Sequence, residues 1–360
     1  MRALIFPSDG PKMDNPYCDL LYRNMEKLGV VLVAFTPMRA IWGTYNVFHL
    51  HWPEYYLSQR PPKAFVGALG LLLIVLWLRL RGTRIVWTVH NLHSHTRLYP
   101  RAERWFWRIL TSMLDGCIGL SETSMAQARA QFSALRSTSC SVIQHGDYRS
   151  SYPATISKPD ARRQLGITAD DSVVLFFGGI SSYKNVPHLA ETFRRAALAH
   201  STLVIAGSAS SPEDEQHLKD AVGGSDCVQL HLRHIPREEV QVFFAAANLV
   251  VLPFLEITNS GSAILALSFD RPVLVPARGS LPELQSRVGS DWVRTYPGEL
   301  DVAELTEGIA WSRNSNRAPR ANLAEFDWSR IARDTLSMYS RVTARVSAST
   351  CASASSTDGI

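Results

Sequence analysis

Cysteine is scarce and scattered in this chain. Cys18, Cys117, Cys140, Cys227 and Cys351 make an odd total with no Cys-x-x-Cys pair. That pattern argues against a disulfide framework and a zinc knuckle, and it suits a reducing cytosol. No Asp-x-Asp occurs, and the one Asp-Asp step, Asp170-Asp171, precedes an expected strand and reads as a turn. The acidic runs at 213–215 and 238–239 stand at expected helix starts, where they complement the helix dipole. A carboxylate-held Mg²⁺ is therefore not expected, nor is any other metal or cofactor. The Walker A sequence, the G-x-S-x-G elbow and the G-x-G-x-x-G fingerprint are missing too. No recognition-helix, zinc-finger or RNA-binding-sheet pattern appears, so no nucleic-acid partner is expected. The first apolar stretch is too short for a signal peptide and reads as a strand.

Charge is unevenly shared. Residues 1–150 carry 17 Lys and Arg against 9 Asp and Glu, a net +8, whereas the remainder carries 20 against 23, or −3. A basic first half suits an acidic partner, and with nucleic acid set aside an anionic membrane surface is the better fit.

A chain of 360 residues is long enough for two cores. Strand-like runs at 30–35, 47–51, 84–90, 116–120 and 140–144 alternate with helical patterns at 17–28, 64–80 and 102–114. The scheme repeats with strands near 172–177, 202–206, 228–231, 249–253, 272–276 and 292–296, and helices near 187–199, 212–221, 237–247 and 262–269. Alternation of this kind means parallel sheets, and two series mean two doubly wound α/β domains. The expected domains are 1–152 and 153–325, joined near a Ser/Pro/Thr-rich stretch. A helix at 326–345 should pack back on the first domain, and the low-complexity tail 346–360 should be disordered. Ligands of such sheets bind at the carboxyl ends of strands, so a cleft between the domains is the default site.

The apolar run 249–252 ends in a polar turn containing Asn259, Ser260 and Gly261, and an apolar helical segment follows. A strand leading into a helix N-terminus offers unpaired N–H groups and the positive end of the dipole, which together hold phosphate without a metal. Ser260 and Ser262 could add hydroxyl donors. Gly178-Gly179, after another strand, permit close approach of a ligand, and Lys184 adds a point charge for a phosphate. Glu283 follows a third strand, where it could accept from a ribose or serve the start of its own helix. In the first half, His49 and His51 with Glu54, and His90, Asn91, His93 and His95, follow two strands. Their spacing lacks the HExxH arrangement, so proton chemistry by His90 or Glu54 is preferred to zinc. His93 and His95 read as loop anchors.

The run 64–78 holds no charge, yet it is short of the roughly 20 apolar residues of a spanning helix. It shows no polar stripe of the kind a helix on a sheet carries. Arg101, Arg104, Trp105, Trp107 and Arg108 follow nearby, and arginine with tryptophan suits a membrane–water boundary. Peripheral membrane contact is the expected role.

Taken together, these segments resemble the GT-B glycosyltransferases, which have two Rossmann-like domains facing a cleft and hold a nucleotide-sugar mainly in the second. Gly178 to Lys184, Leu281-Pro282-Glu283 and the helix after Phe326 resemble elements of the large retaining group. That group also carries two glutamates eight positions apart, where this chain has Ile257 and Leu265. A nearer resemblance is to the bacterial exopolysaccharide (xanthan-type) GDP-mannose:glycolipid β-mannosyltransferase family. It rests on His49-Leu50-His51-Trp52-Pro53-Glu54-Tyr55, His90-Asn91-Leu92, His145-Gly146 with Tyr148-Arg149, Tyr183-Lys184, and Asn259-Ser260-Gly261 followed by Ala266-Leu267-Ser268 and Arg271-Pro272-Val273-Leu274. The resemblance implies a GDP-mannose donor, a polyprenyl-diphosphate-linked glycan acceptor, anomeric inversion and attachment at the cytoplasmic face of the plasma membrane. His51, Asn91, His145 and Tyr148 would then belong to the acceptor side or the cleft. A retaining or UDP-sugar glycosyltransferase, an epimerase or hydrolase of the same fold, and a non-catalytic membrane scaffold are the alternatives.

Overall fold

The structure is a computed structural model that describes residues 1–7, 16–93, 98–314 and 316–354. Contacts divide the chain into two units, Met1–Gly146 with Glu325–Ile360 and Asp147–Ala324. Residues 147–152, expected in the first domain, therefore belong to the second.

In the first unit, β1 (Arg2–Phe6), β2 (Val31–Ala34), β3 (Val47–Leu50), β4 (Arg84–Val89), β5 (Gly116–Gly119) and β6 (Ser139–Val142) form one sheet in the order β2-β1-β3-β4-β5-β6. Every pairing is parallel. The central strands are buried on both faces, and β3 and β4 are accordingly apolar apart from His49, Arg84 and Thr88. The helices are α1 (Tyr17–Lys27), α2 (Pro37–Trp42), α3 (Lys63–Leu80), α4 (Pro100–Ser112) and α5 (Glu122–Gln131). The sequence pattern does not reveal α5, which buries only Ser124, Met125 and Ala128. It is started by Ser121, whose side chain accepts from Ser124 N in a reciprocal capping box.

The second unit repeats the plan with β7 (Ser172–Phe177), β8 (Ser201–Ala206), β9 (Val228–His231), β10 (Leu249–Val251), β11 (Val273–Pro276) and β12 (Val293–Tyr296). Their order is β12-β11-β10-β7-β8-β9, again all parallel. Its helices are α6 (Lys158–Gln164), α7 (Val186–Ala196), α8 (Pro212–Val222), α9 (Arg237–Ala246), α10 (Gly261–Ser268), α11 (Leu281–Val288) and α12 (Val302–Ser312). Strand order reverses between β7 and β10, and ligands of such sheets bind at the carboxyl edge of this switch point. In the first unit the same reversal falls between β1 and β3.

The last helix, α13 (Trp328–Ala354), belongs to the first unit. It packs on α1, and the Tyr339 hydroxyl lies 2.7 Å from His49 Nδ1 on β3. Trp328 covers Gly146 so closely that a Cβ there would lie 2.1 Å from the indole. The helix runs past residue 346, where the expected tail begins, because the Ser/Ala-rich stretch contains no helix breaker. Residues 355–360 of that tail, and His95, lie outside the described residues.

Candidate functional site

The reversal point of the second unit brings together the two loops that the sequence marks for phosphate. Gly178 leaves β7 at φ +135°, a conformation that side chains rarely adopt. A Cβ there would lie 3.3 Å from Lys184 Nζ and 3.5 Å from Ser262 Oγ. The lysine reaches this point because a 3-10 turn, Ser182–Lys184, folds it back after β7. Asn185, at φ +54°, then starts α7. No carboxylate among the described residues pairs with the ammonium. Burial pushes it from 10.5 down to about 8, so it is a cation held in a poorly solvated place.

Ser260 is buried and caps α10, its Oγ accepting from Ala263 N at 3.1 Å. Its hydroxyl oxygen is thus committed to the helix, and Ser262 supplies the hydroxyl beside Gly178 instead. Asn259 and Gly261 are half-buried on the same turn, and Gly179 is exposed after Gly178. The carboxyl-edge loops are tied to one another by the backbone. Leu255 N donates to Tyr183 O at 2.8 Å, and Ser280 N donates to Thr258 O at 3.2 Å. Arg278, which the sequence does not single out, donates to Leu255 O at 2.6 Å and to Gly298 O at 3.1 Å. Glu283 lies in the first turn of α11 and accepts from Arg287 at 3.0 Å.

Tyr148 is in the second unit, not with the first-domain residues. Its N–H donates to Ser268 Oγ at 2.9 Å, at the far end of α10 from Gly261. That end faces the amino edge of the sheet, so Tyr148 is remote from Lys184.

The first unit gathers its histidines at the carboxyl edge. His51 Nδ1 and His90 Nε2 are 2.9 Å apart, and His49 Nε2 is 2.7 Å from the Thr88 hydroxyl. His145 Nδ1 is 2.8 Å from Gly146 O. Tyr17 meets His51, His90 and His145 edge-on, with ring centroids 5.6, 4.8 and 4.8 Å apart. Trp52 stacks on His90 at 4.0 Å. Tyr17 has no sequence signal, because it arrives from another helix. Burial, with His145 and His49 nearby, holds His90 well below 6.5. His51 is lowered likewise, His49 falls to about 3 and His145 to about 4. All four are neutral at pH 7. Glu54 is buried and accepts from Asn91 Nδ2 at 3.1 Å, and burial pushes its carboxyl up to about 8. Among the described residues, no three His, Cys, Asp or Glu side chains are grouped as a metal would require.

The apolar helix is α3. Ala64, Ala68, Leu71, Val75 and Leu78 form its buried stripe. The opposite stripe, including Val66, Leu69, Leu73 and Leu80, is 58–76% exposed. By length and composition α3 is long and apolar enough to cross a membrane, the one such helix among the described residues. Next to it, Trp105 is 64% exposed while Trp107 is buried, since positions two apart face different sides of a helix. Trp107 is therefore a core residue, not a boundary one.

The model of the glycosyl transferases group 1 family matches residues 171–311, the second unit's sheet and loops. Over 335 residues the chain is 31% identical to a GDP-mannose:glycolipid 4-beta-D-mannosyltransferase of Xanthomonas campestris pv. campestris, covering 91% of this chain and 89% of that one. The chain belongs to that family of glycosyltransferases. Among solved structures, a sucrose-phosphate synthase from Thermosynechococcus elongatus superposes with a TM-score of 0.73 at 20% identity, covering 96% of this chain and 99% of that one. A glycosyltransferase from Rickettsia africae follows at 0.62 and 11%, covering 95% and 98%. These likenesses concern the fold, which is GT-B. This glycosyltransferase therefore carries its group 1 match on the unit that contains Gly178, Lys184 and the 259–262 turn.

Proposed function

We propose that this glycosyltransferase moves mannose from GDP-mannose to a polyprenyl-diphosphate-linked oligosaccharide in exopolysaccharide biosynthesis, with inversion at the anomeric carbon. The observation that carries the reading is the likeness, over nine-tenths of the chain, to a GDP-mannose:glycolipid 4-beta-D-mannosyltransferase. The second unit holds the donor, its diphosphate against the amides of Asn259, Ser260 and Gly261, the Ser262 hydroxyl and Lys184. Gly178 and Gly179 leave room for it, and Glu283 faces the nucleoside. The first unit holds the acceptor, with His51, Asn91 and His145 shaping its site. His90 or Glu54 takes the proton from the acceptor hydroxyl. That oxygen bonds to the anomeric carbon as the bond to the diphosphate breaks, through an oxocarbenium-like state, and GDP leaves. Oriented amides and the ammonium stabilise the departing charge, and no metal is assigned to that task. Ile257 and Leu265, in place of the retaining group's glutamates, favour inversion.

The exposed apolar stripe of α3 and the surrounding arginines support a reading in which the enzyme works on an anionic membrane surface. We assign it to the cytoplasmic face of the plasma membrane, a compartment that its free thiols suit. The test is transfer from radiolabelled GDP-mannose to a lipid-linked acceptor, with the product's anomer determined and melting shifts compared for GDP-, UDP- and ADP-sugars. A β-linked product and the largest shift with the guanosine donor are expected. An α-linked product, or preference for another base, would overturn the reading.

A further inference from the structure

We propose that an open groove on the outer side of the first unit binds the phosphodiester headgroup of an anionic glycerophospholipid. The groove has a volume of about 930 Å³ and runs between α4 and the segment that follows α5. That is ample for a glycerophosphate headgroup. This inference rests on the membrane reading above and adds to it a specific lipid site.

Helical spacing decides which α4 side chains reach the groove. Glu103 and Arg104 line it together with Trp107 and Arg108, the pair one turn and four residues on. Trp105 and Ile109 fall on the adjoining face, 64% and 42% exposed. On the far side of that apolar face stands α3, which packs on α4 and whose Phe65 ring meets Tyr99 at 4.9 Å. Arg104 and Arg108 thus stand one turn apart on the line where apolar surface gives way to the groove. The Arg108 guanidinium lies 5.8 Å from the Trp105 ring centroid, at that boundary. Two planar guanidiniums at this spacing can grip the two free oxygens of a phosphodiester, while its acyl chains remain in the bilayer beneath Trp105, Ile109 and α3.

The floor is rigid. Trp107 is wedged between Trp87 and Phe132, with ring centroids 4.7 and 5.3 Å away. The groove's other ionisable groups are the buried Glu103 and the half-exposed His93, whose Oε1 and Nδ1 lie 3.9 Å apart at the end nearest Pro100. Arg108 is a full turn farther from that carboxylate than Arg104, so the anion settles toward Arg108. Ser112, Gln131 and Ser133 offer hydrogen-bonding groups for a headgroup hydroxyl.

The test uses the full chain and a monomeric probe, dihexanoyl-phosphatidylglycerol, read by thermal shift. Binding to phosphatidylcholine vesicles with and without phosphatidylglycerol is measured in parallel. The groove variant is Arg104→Gln/Arg108→Gln, and the charge-matched control is Arg60→Gln/Arg101→Gln, all four being exposed arginines. The soluble probe should raise the melting temperature of wild type and control but not of the groove variant. Dihexanoyl-phosphatidylcholine and inorganic phosphate should do nothing. The control should lose about fivefold per arginine in partition onto phosphatidylglycerol vesicles, as a surface field requires, and the groove variant should lose more than that. An unchanged probe shift in the groove variant overturns the proposal, and so does an equal shift from inorganic phosphate. A groove variant that keeps its probe response but shows a raised KM for acceptor would mean that the arginines serve the acceptor's diphosphate, which also overturns it. Wild type that ignores every vesicle would remove the membrane reading itself. Wild type that binds vesicles but not the probe removes only the groove.

Discussion

Replacing Lys184 with methionine tests the donor site in two opposing directions. In the free protein, burial pushes the ammonium from 10.5 down to about 8. Each pH unit of that displacement corresponds to about 1.4 kcal/mol, so charging Lys184 in the folded state costs up to about 3 kcal/mol. The side chain retains some contact with solvent, and screening reduces the figure to about 1–2 kcal/mol. The sign follows from the folded value lying below the unfolded one. The penalty is present in full below about pH 8 and is relieved as pH rises toward 10.5. Methionine keeps the apolar stem without the charge, so the variant should melt several degrees higher than wild type at pH 7, with the gain shrinking above pH 8. Donor chemistry should respond the other way. Removing one charge-stabilising donor typically costs on the order of a hundredfold in turnover, and a loss of at least about tenfold is expected here. Differential scanning fluorimetry at two pH values, with and without GDP, reads the first effect. Transfer from radiolabelled GDP-mannose in membranes reads the second. Wild-type transfer rates, or equal protection by GDP, would refute the donor-site assignment. A lower melting temperature at pH 7 would refute the view that the ammonium lacks compensation in the free protein.

The pH profile distinguishes the two candidate bases. If Glu54 takes the proton, kcat/KM rises with pH up to about 8 and Glu54→Gln abolishes that limb; if His90 does, the limb lies well below 6.5. Gly178→Ala should weaken GDP binding several-fold by calorimetry, since its Cβ would crowd Lys184 Nζ at 3.3 Å and its φ of +135° disfavours alanine. Affinity equal to that of wild type would mean that the turn does not face the diphosphate. EDTA should leave transfer intact, because the departing charge is assigned to amides and Lys184. A strict Mg²⁺ requirement in the same membrane assay would contradict that assignment.

Local pattern was enough to place the parallel strands and the strand-to-helix turns, because an unbroken apolar run followed by glycine or serine has few other uses. It also marked Lys184 and the 259–261 turn as belonging to one sheet edge. It could not assign the hydroxyls, because Ser260 and Ser262 differ only in which one the first turn of α10 requires as its cap. Nor could it tell Trp105 from Trp107, a distinction that depends on which face of α4 meets the sheet. Tyr148 looked adjacent to His145 because it is adjacent along the chain, yet the division between the units falls between them.

By itself, then, the sequence determined the two-sheet alternation, the glycosyltransferase resemblance and an apolar helix without a polar stripe. Tertiary structure alone decided that half of that helix stays uncovered, that Tyr17 from α1 closes the histidine cluster, and that an ammonium lies beside Gly178 with no carboxylate partner among the described residues. Periodicity and propensity act over a few residues, whereas burial and charge compensation depend on what the fold brings from far along the chain.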